Sequence, residues 1–429
     1  MTAQGTSGIT RRIAVLPGDG VGAEVLAGPT ALLESIAAAG RVELTGPWPV
    51  GASAFGELGT GLPEPTLAAC DRCHAMFFGA AGEHPGVSLA DYRPEHSIIG
   101  LRQRYDLRVS IRSIVRIDRG TVGHDRTGHT DTTDDRTGRD DIDGGTGHTD
   151  DGTSRYDIDG GTGHTDTKTG HIDTIDDRTG RHSDGRRPLI VVRNLLGGAY
   201  GAASTRTESD GSGPACDEVI LTPEQIAELA EIACDMVEAG LASSIVSADK
   251  ANLMATSRLW RSITARVADA RGVPLRHTYV DRMAFELAHD DVTADTVVLT
   301  EGIFGDMLSD LAAGRAGSIA LCGSASVNPG RPAQGNCVGL FEPVHGSAPR
   351  HHGKDRVNPS GAYLALAALL EWFPETADLG PPVTEALSEA LLAGPRTYDL
   401  TPAGTGPATT KQFAAAVNAR ALPRLKELL

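Results

Sequence analysis

The sequence lacks a surplus of basic residues: 39 lysines and arginines stand against 56 aspartates and glutamates, giving a formal net charge of -17 and a pI near 5.2. A polyphosphate backbone or an anionic membrane surface needs a basic face, so this balance argues against both and favours small-molecule chemistry. Also missing is any uninterrupted apolar run of about 18 residues, the length that spans a bilayer. The opening stretch Met1 to Thr10 is polar and has no apolar core, so no signal peptide is expected and the expected location is the cytoplasm. There is no disulfide framework either. Six cysteines (Cys70, Cys73, Cys216, Cys234, Cys322 and Cys337) are scattered through 429 residues, which fits a reducing compartment. Cys70 and Cys73 have redox spacing, but no second pair completes a zinc site, and we read them as structural.

The chain does hold enough apolar residues, 40%, for two lobes with real cores. Arg12 to Leu16 reads as a short buried strand, and the turn Pro17-Gly18-Asp19-Gly20-Val21-Gly22 leads into a helix predicted over Ala23 to Ala39. The glycine spacing is not G-x-G-x-x-G, so the turn is weak support for a Rossmann fold. His74 to Ala80 reads as a second strand, and Glu95 to Tyr105 as a helix feeding a strand at Leu107 to Ile111. Alternation of this kind predicts a layered α/β architecture. Pro188 to Arg193 and Ser244 to Asp249 are further strands, and Thr222 to Gly240 is a helix with Pro223 just inside its start. A strand is predicted at His277 to Asp281, and a buried helix at Gly361 to Trp372.

Between Asp118 and Arg187 the composition changes abruptly: Leu, Phe, Ala, Glu, Pro and Trp are all absent. Such a tract cannot bury a core. Asp141 to Asp150 recurs identically at Asp157 to Asp166, and Asp134 to Arg139 at Asp176 to Arg181, which points to tandem duplication. A calcium β-roll would need a large apolar residue in each short repeat, and none is regularly placed here. The tract is read as a mobile surface insertion, which costs little because loop-closure entropy rises slowly with length.

Chemistry concentrates elsewhere. With a helix expected to begin near Gly305, Asp306 and Asp310 fall one above the other on one face, where they could share a hard divalent cation; a solvated acidic face is the plainer alternative. Asp281 is a possible third ligand. Arg102 and Arg112 bracket a helix-to-strand junction and would suit a polyanionic acid if they converge. A glycine-rich turn after Arg193 presents Tyr200. Lys250 ends an apolar strand, where a catalytic role needs an acidic or metal-bearing neighbour. Phe341 to Pro349 is a turn of small residues that would let a ligand approach the backbone, and the basic run Arg350 to Lys354 would suit a phosphate.

Taken together, Leu16-Pro17-Gly18-Asp19-Gly20, Leu101-Arg102, Arg112, Arg193 with Gly197-Gly198 and Tyr200, Asp249-Lys250-Ala251-Asn252, Tyr279-Val280-Asp281, Phe304-Gly305-Asp306 with Ser309-Asp310, and Glu342 to Pro349 resemble the metal-dependent β-decarboxylating dehydrogenases. That family comprises the 3-isopropylmalate, isocitrate, homoisocitrate and tartrate enzymes. The resemblance covers the chain from Ile13 to about the C-terminus, apart from the repeats. It implies a two-domain α/β fold that is not Rossmann, with residues 1–107 and 317–429 in a first, cofactor-side domain. By the same resemblance, residues 108–316 would form the second domain, with the dimer interface, the metal site and the 118–187 insertion.

The resemblance further implies a homodimer in which each active site borrows Lys250 and Asp281 from the partner. Arg102, Arg112 and Arg193 would hold the carboxylates of a 2-hydroxy diacid, and Asp306, Asp310 and Asp281 would bind Mg2+ or Mn2+. Lys250 would take the hydroxyl proton, and Tyr200 would protonate the carbon left after decarboxylation. Glu95, Ile98 and Ile99 stand where isopropylmalate enzymes have a Glu and two Leu, favouring an apolar substituent. Ser309 to Gly314 looks more like the isocitrate and homoisocitrate branch. The nicotinamide cofactor would lie on His345, Gly346, Ser347, Ala348, Arg350, His351 and Asn358. NAD-dependent members carry Asp at the position of Arg350, so Arg350 with His351 favours NADP over NAD. Asn194, Ser113, Gly302 and Arg282 depart from the expected Glu, Pro, Asn and Asn. Alternatives are an isocitrate-, homoisocitrate- or tartrate-type enzyme of a specialised pathway, or a non-catalytic regulatory subunit.

Overall fold

Short apolar runs become strands buried on both faces, the pattern of parallel sheets covered by helices. The computed structural model describes residues 10–84, 87–88, 91–115, 188–200, 204–206, 215–289, 295–330, 336–401 and 405–429. The tract 118–187, and with it the expectation of a surface insertion, lies outside them. The strands are β1 (Arg11–Gly18), β2 (Val42–Thr45), β3 (Ala75–Ala80), β4 (Val109–Ile114), β5 (Leu189–Asn194), β6 (Ser204–Arg206), β7 (Ala215–Asp217), β8 (Ser244–Asp249), β9 (Leu275–Tyr279), β10 (Thr296–Thr300), β11 (Cys322–Val327) and β12 (Gly339–Pro343). The helices are α1 (Gly22–Ala38), α2 (Ala52–Leu58), α3 (Glu64–Asp71), α4 (Glu95–Arg104), α5 (Pro223–Glu238), α6 (Ala255–Arg271), α7 (Val280–Ala288), α8 (Gly302–Ala316), α9 (Ser360–Trp372), α10 (Gly380–Ala393) and α11 (Thr410–Leu428). None of these helices is long and apolar enough to cross a membrane.

Ten strands form one sheet in the order β2-β1-β3-β12-β11-β4-β5-β10-β8-β9, while β6 and β7 pair separately. β2, β1, β3 and β12 run parallel, as do β5, β10, β8 and β9. Between the two blocks, β11 and β4 are antiparallel to their neighbours on both sides. That central reversal separates the sheet from an all-parallel Rossmann arrangement, as expected. Every residue of β3, β5 and β10 is buried. α9 is apolar almost all round and lies against β11 and β12, so close that a Cβ on Gly323 would stand 2.6 Å from Leu364 Cβ. The register sets Ile114 of β4 opposite Leu189 of β5.

Local sequence accounts for most boundaries. α5 starts where Thr222 and Gln225 form a reciprocal capping box, with Pro223 at the first position. Several boundaries differ from expectation: the strand expected at Leu107 to Ile111 is β4, Val109–Ile114, and Phe341 to Pro343 of the expected turn belong to β12. α8 begins at Gly302, not near Gly305, because Glu301 caps it by accepting from Phe304 N at 3.1 Å. Gly305 lies inside the helix, where a Cβ would meet Arg193 Cβ at 2.6 Å; the glycine serves close packing on β5 rather than a turn. The strand expected over His277 to Asp281 ends at Tyr279, the cap residue of α7, and Asp281 sits in that helix's first turn. Cys70 and Cys73 are free and buried, and burial pushes their thiols up to about 12 and about 11, as suits structural residues.

Glu301 is buried, and burial raises its carboxyl above the ordinary value, outweighing its bond to Phe304 N and the charge of Arg193. A carboxyl that binds its proton more tightly in the folded chain lowers stability as pH rises from the unfolded pKa through the folded one. Glu301→Gln keeps the acceptor for Phe304 N and removes the buried charge. Melting curves of the variant are therefore expected to match or exceed wild type at pH 8, an advantage that shrinks as the pH is lowered towards the carboxylate range.

Candidate active site

Three arginines reach the middle of the sheet from three elements. Arg112 lies on β4 and Arg193 on β5, both buried, while Arg102 comes from the last turn of α4. In the antiparallel register Arg193 faces Ser110, two residues from Arg112, so both guanidiniums leave the same face of the ladder. They meet α8. Arg112 Nη2 lies 3.0 Å and Arg193 Nη2 2.8 Å from the same oxygen, Asp306 Oδ1. Arg112 Nη1 reaches Asp310 Oδ1 at 2.9 Å and donates to Ser309 Oγ at 2.6 Å. Arg193 Nη1 donates to the carbonyl of Gly302 at 3.1 Å. Asp306 and Asp310 therefore do share one helix face. Burial and the charge of Arg112 press Arg193 down to about 10, which leaves it charged at neutral pH.

Arg102 Nη2 donates to Glu342 Oε1 of β12 at 3.0 Å. Glu342 is buried, and burial raises its carboxyl despite the opposing charge of Arg102. Glu95, Ile98, Arg102, Arg112, Glu342, His345 and Gly346 line one cavity of about 140 Å³ together with Ala81, Ser324, Pro343 and Val344. Ile98 thus forms part of its wall, whereas Ile99 is exposed. Tyr200 is also exposed, with Arg193 6.0 Å from its ring centroid. A Cβ on Gly302 would stand 2.7 Å from that ring, so only glycine lets it lie against the start of α8.

Lys250 and Asp281 form a second cluster, with Nζ 2.5 Å from Oδ1. Lys250 holds the Asp281 carboxyl below its usual range. Among the described residues no group of three or more His, Cys, Asp or Glu side chains could hold a metal ion within one chain. Arg282, next to Asp281, turns away to Glu286 Oε1 at 2.9 Å.

The small-residue loop packs on the first glycine turn: Val21 N donates to Ser347 O at 2.9 Å, and a Cβ on Gly20 would meet that oxygen at 2.1 Å. Asp19, fully buried, accepts from the backbone N–H groups of Ala52, Ser53 and Gly82. Ala348, with φ 41°, turns the chain into Arg350 and His351. His351 stacks on Tyr398 at 5.1 Å between centroids, and the Arg356 guanidinium lies 4.3 Å from the same ring. Burial, with the charges of Arg356, Lys354 and Arg350, lowers the His351 pKa. Asn358 Nδ2 donates to Asp399 Oδ2 at 3.0 Å, and its Oδ1 accepts from Ser360. Sequence reasoning missed Arg356 and Tyr398 and gave Glu342 no role of its own. Arg356 stands two residues past the basic run, a signal that was available; Tyr398 has no local one.

The family model for isocitrate/isopropylmalate dehydrogenase matches residues 12–147 and 174–417. A 3-isopropylmalate dehydrogenase of Symbiobacterium thermophilum is 32% identical over 419 residues, covering 95% of this chain and 98% of that protein. One from Salinibacter ruber is 33% identical over 417 residues, covering 95% of each. Among solved structures, an apo β-decarboxylating dehydrogenase of Thermococcus kodakarensis aligns with a TM-score of 0.67 at 26% identity, covering 97% of this chain and 98% of that one. An isocitrate dehydrogenase of Methylococcus capsulatus shares the fold, with a TM-score of 0.68 at 22% identity over 96% of this chain and 99% of that one. A mixed sheet reversed at its centre, an arginine-rich cleft and a match over most of the length agree: the chain belongs to the isocitrate/isopropylmalate dehydrogenase family.

Proposed function

We propose that the protein is an oxidatively decarboxylating dehydrogenase of the 3-isopropylmalate type, acting on a 2-hydroxy diacid with a divalent metal and NADP. The observation that carries this reading is the convergence of Arg112 and Arg193 on Asp306 beside the cavity that Arg102 and Ile98 line. Such a site offers cations for two carboxylates and an apolar wall for a substituent. Asp306 and Asp310 supply the hard oxygen donors that Mg2+ or Mn2+ prefers. One chain brings only two of the three aspartates together, and the third, Asp281, is assigned to the partner subunit along with Lys250. Ile303 and Met307, one turn apart on α8, and Phe285 on α7 expose an apolar face suited to a twofold pairing of these helices. The two lobes of this reading are 1–107 with 317–429, and 108–316.

The division of labour follows from charge. Arg102, Arg112 and Arg193 orient the diacid. Asp306 and Asp310 would hold a divalent ion that would supply positive charge beside the 2-hydroxyl, and the loop His345 to Ala348 would hold a nicotinamide that would supply the hydride acceptor. Lys250 accepts the hydroxyl proton, and its tie to Asp281 keeps the amine within reach of the same centre. Once the β-carboxylate has left as CO2, its bonding electrons remain in the enolate, and Tyr200 returns a proton to carbon. Arg350 on the exposed rim and the His351–Tyr398–Arg356 stack suit an adenosine 2′-phosphate, with a cation for the phosphate and a ring platform beside it.

A screen of 2-hydroxy diacids with Mn2+ and either cofactor, followed by the absorbance of reduced nicotinamide, is expected to give turnover with an alkyl-substituted malate and NADP. Lack of turnover with every diacid would remove the proposal. Asp306→Asn is expected to lower kcat/KM by about a hundredfold or more, since even outer-shell groups around a metal are worth about ten- to a hundredfold. Arg350→Asp should lower the ratio of kcat/KM for NADP over NAD by about tenfold, equivalent to about 1.4 kcal/mol. A ratio left unchanged by that substitution would place the phosphate elsewhere.

A further inference from the structure

Lys250 and Asp281 lie on different segments, just past the ends of β8 and β9. These strands are parallel and set Asp249 opposite Tyr279, but ladder hydrogen bonds fix only the backbone up to that point. Beyond it, Arg261 adds a second link to the Lys250–Asp281 ion pair itself. Arg261 of α6 donates through Nε to Asp249 Oδ2 at 2.6 Å, and its guanidinium carbon lies 4.8 Å from the Tyr279 ring centroid. Asp249 is almost wholly buried, and its other oxygen accepts from Ala251 N at 2.8 Å, shaping the turn that carries Lys250. Lys250 N donates to Ser257 Oγ of α6 at 3.1 Å. Tyr279 in turn occupies the N-cap position of α7, two residues before Asp281. α6 is itself pinned to β8, since Trp260, next to Arg261, is buried and donates to Ser247 Oγ at 3.0 Å.

We propose that Arg261 is a positioning residue that sets the Lys250–Asp281 pair by tying the Lys250 turn, through Asp249, to the start of α7, through Tyr279. The proposal rests on the reading above, in which that pair serves the reaction. A buried carboxylate held by a guanidinium is a stiff link, because the guanidinium cannot leave without stranding the buried charge of Asp249. A cation over an aromatic face adds a second, softer one. Arg261 acts on the reaction only through these two neighbours, and the substrate arginines Arg102, Arg112 and Arg193 belong to other elements.

The test uses the full chain and three variants: Arg261→Ala, Arg261→Lys, which keeps the charge, and Tyr279→Leu, which spares the Asp249–Arg261 pair. In Arg261→Ala, backbone amide exchange across residues 250–254 and 279–283 is expected to speed up by about tenfold. Its kcat should fall about ten- to a hundredfold, the scale of a small misplacement of a reacting group. KM for the hydroxy acid should stay within about threefold, because the carboxylate-binding arginines are untouched. Mn2+ binding, followed by electron paramagnetic resonance, should weaken. Arg261→Lys is expected to recover most of kcat, and Tyr279→Leu to lower it with faster exchange confined to 279–283. Should Arg261→Ala fail to fold, the other two variants decide. Wild-type kcat and exchange in the folded variants, or a loss that tracks melting temperature with neither segment exchanging faster, would overturn the proposal. A wild-type chain that turns over no hydroxy diacid would instead overturn the reading of the reaction, and the exchange data would still decide the role of Arg261.

Discussion

A single carboxylate oxygen, Asp306 Oδ1, holds two guanidiniums that neighbouring strands bring to the same face of the sheet. Two buried cations that close repel one another, and burial gives neither enough water to screen the repulsion. Asp306 and Asp310 offset it, and in doing so they fix where α8 can lie. Gly302 and Gly305 then permit the approach that the charges demand, the first under Tyr200 and the second against Arg193. β4, β5 and α8 are thus a single electrostatic unit around which the cavity is arranged.

The same unit limits how the cleft can respond to ligands. Each guanidinium already has a carboxylate partner, so a diacid must compete with Asp306 and Asp310 for Arg112, and a cation must compete with Arg112 for the aspartates. Bound together, a diacid and a divalent ion satisfy both sides at once. A cation alone would leave the buried guanidiniums short of a partner, and a diacid alone would leave the two half-exposed carboxylates without theirs. On the proposed reading, the cleft suits the two ligands together.

Much of this was readable in the chain. Apolar runs such as Leu189 to Val192, and the helical spacing after Thr222 with Pro223 at its start, gave β5 and α5 nearly to the residue, because burial on both faces and a favoured helix start leave local marks. The shared face of Asp306 and Asp310 followed from helical spacing. What failed were features set by distant neighbours. Gly305 looked like a helix start when its task is to let α8 touch β5. Asp281 looked like a strand end because no capping side chain nearby marks the start of a helix after Tyr279. The link between Tyr398 and His351, and the clamp of Asp19 on three backbone amides, join segments that only the folded sheet brings together.

The pairing of Ile114 with Leu189 has a consequence for how this gene can change. The polypeptide leaves the sheet on one strand and re-enters on the adjacent antiparallel one, so the two exits stay side by side whatever is spliced between them. If the intervening residues close as a flexible chain would, each doubling of their number costs only about 0.6 kcal/mol, and slippage in repetitive coding sequence can add or drop whole units while the ladder keeps its register. Related chains differing by dozens of residues at this one point would share an unaltered catalytic cleft.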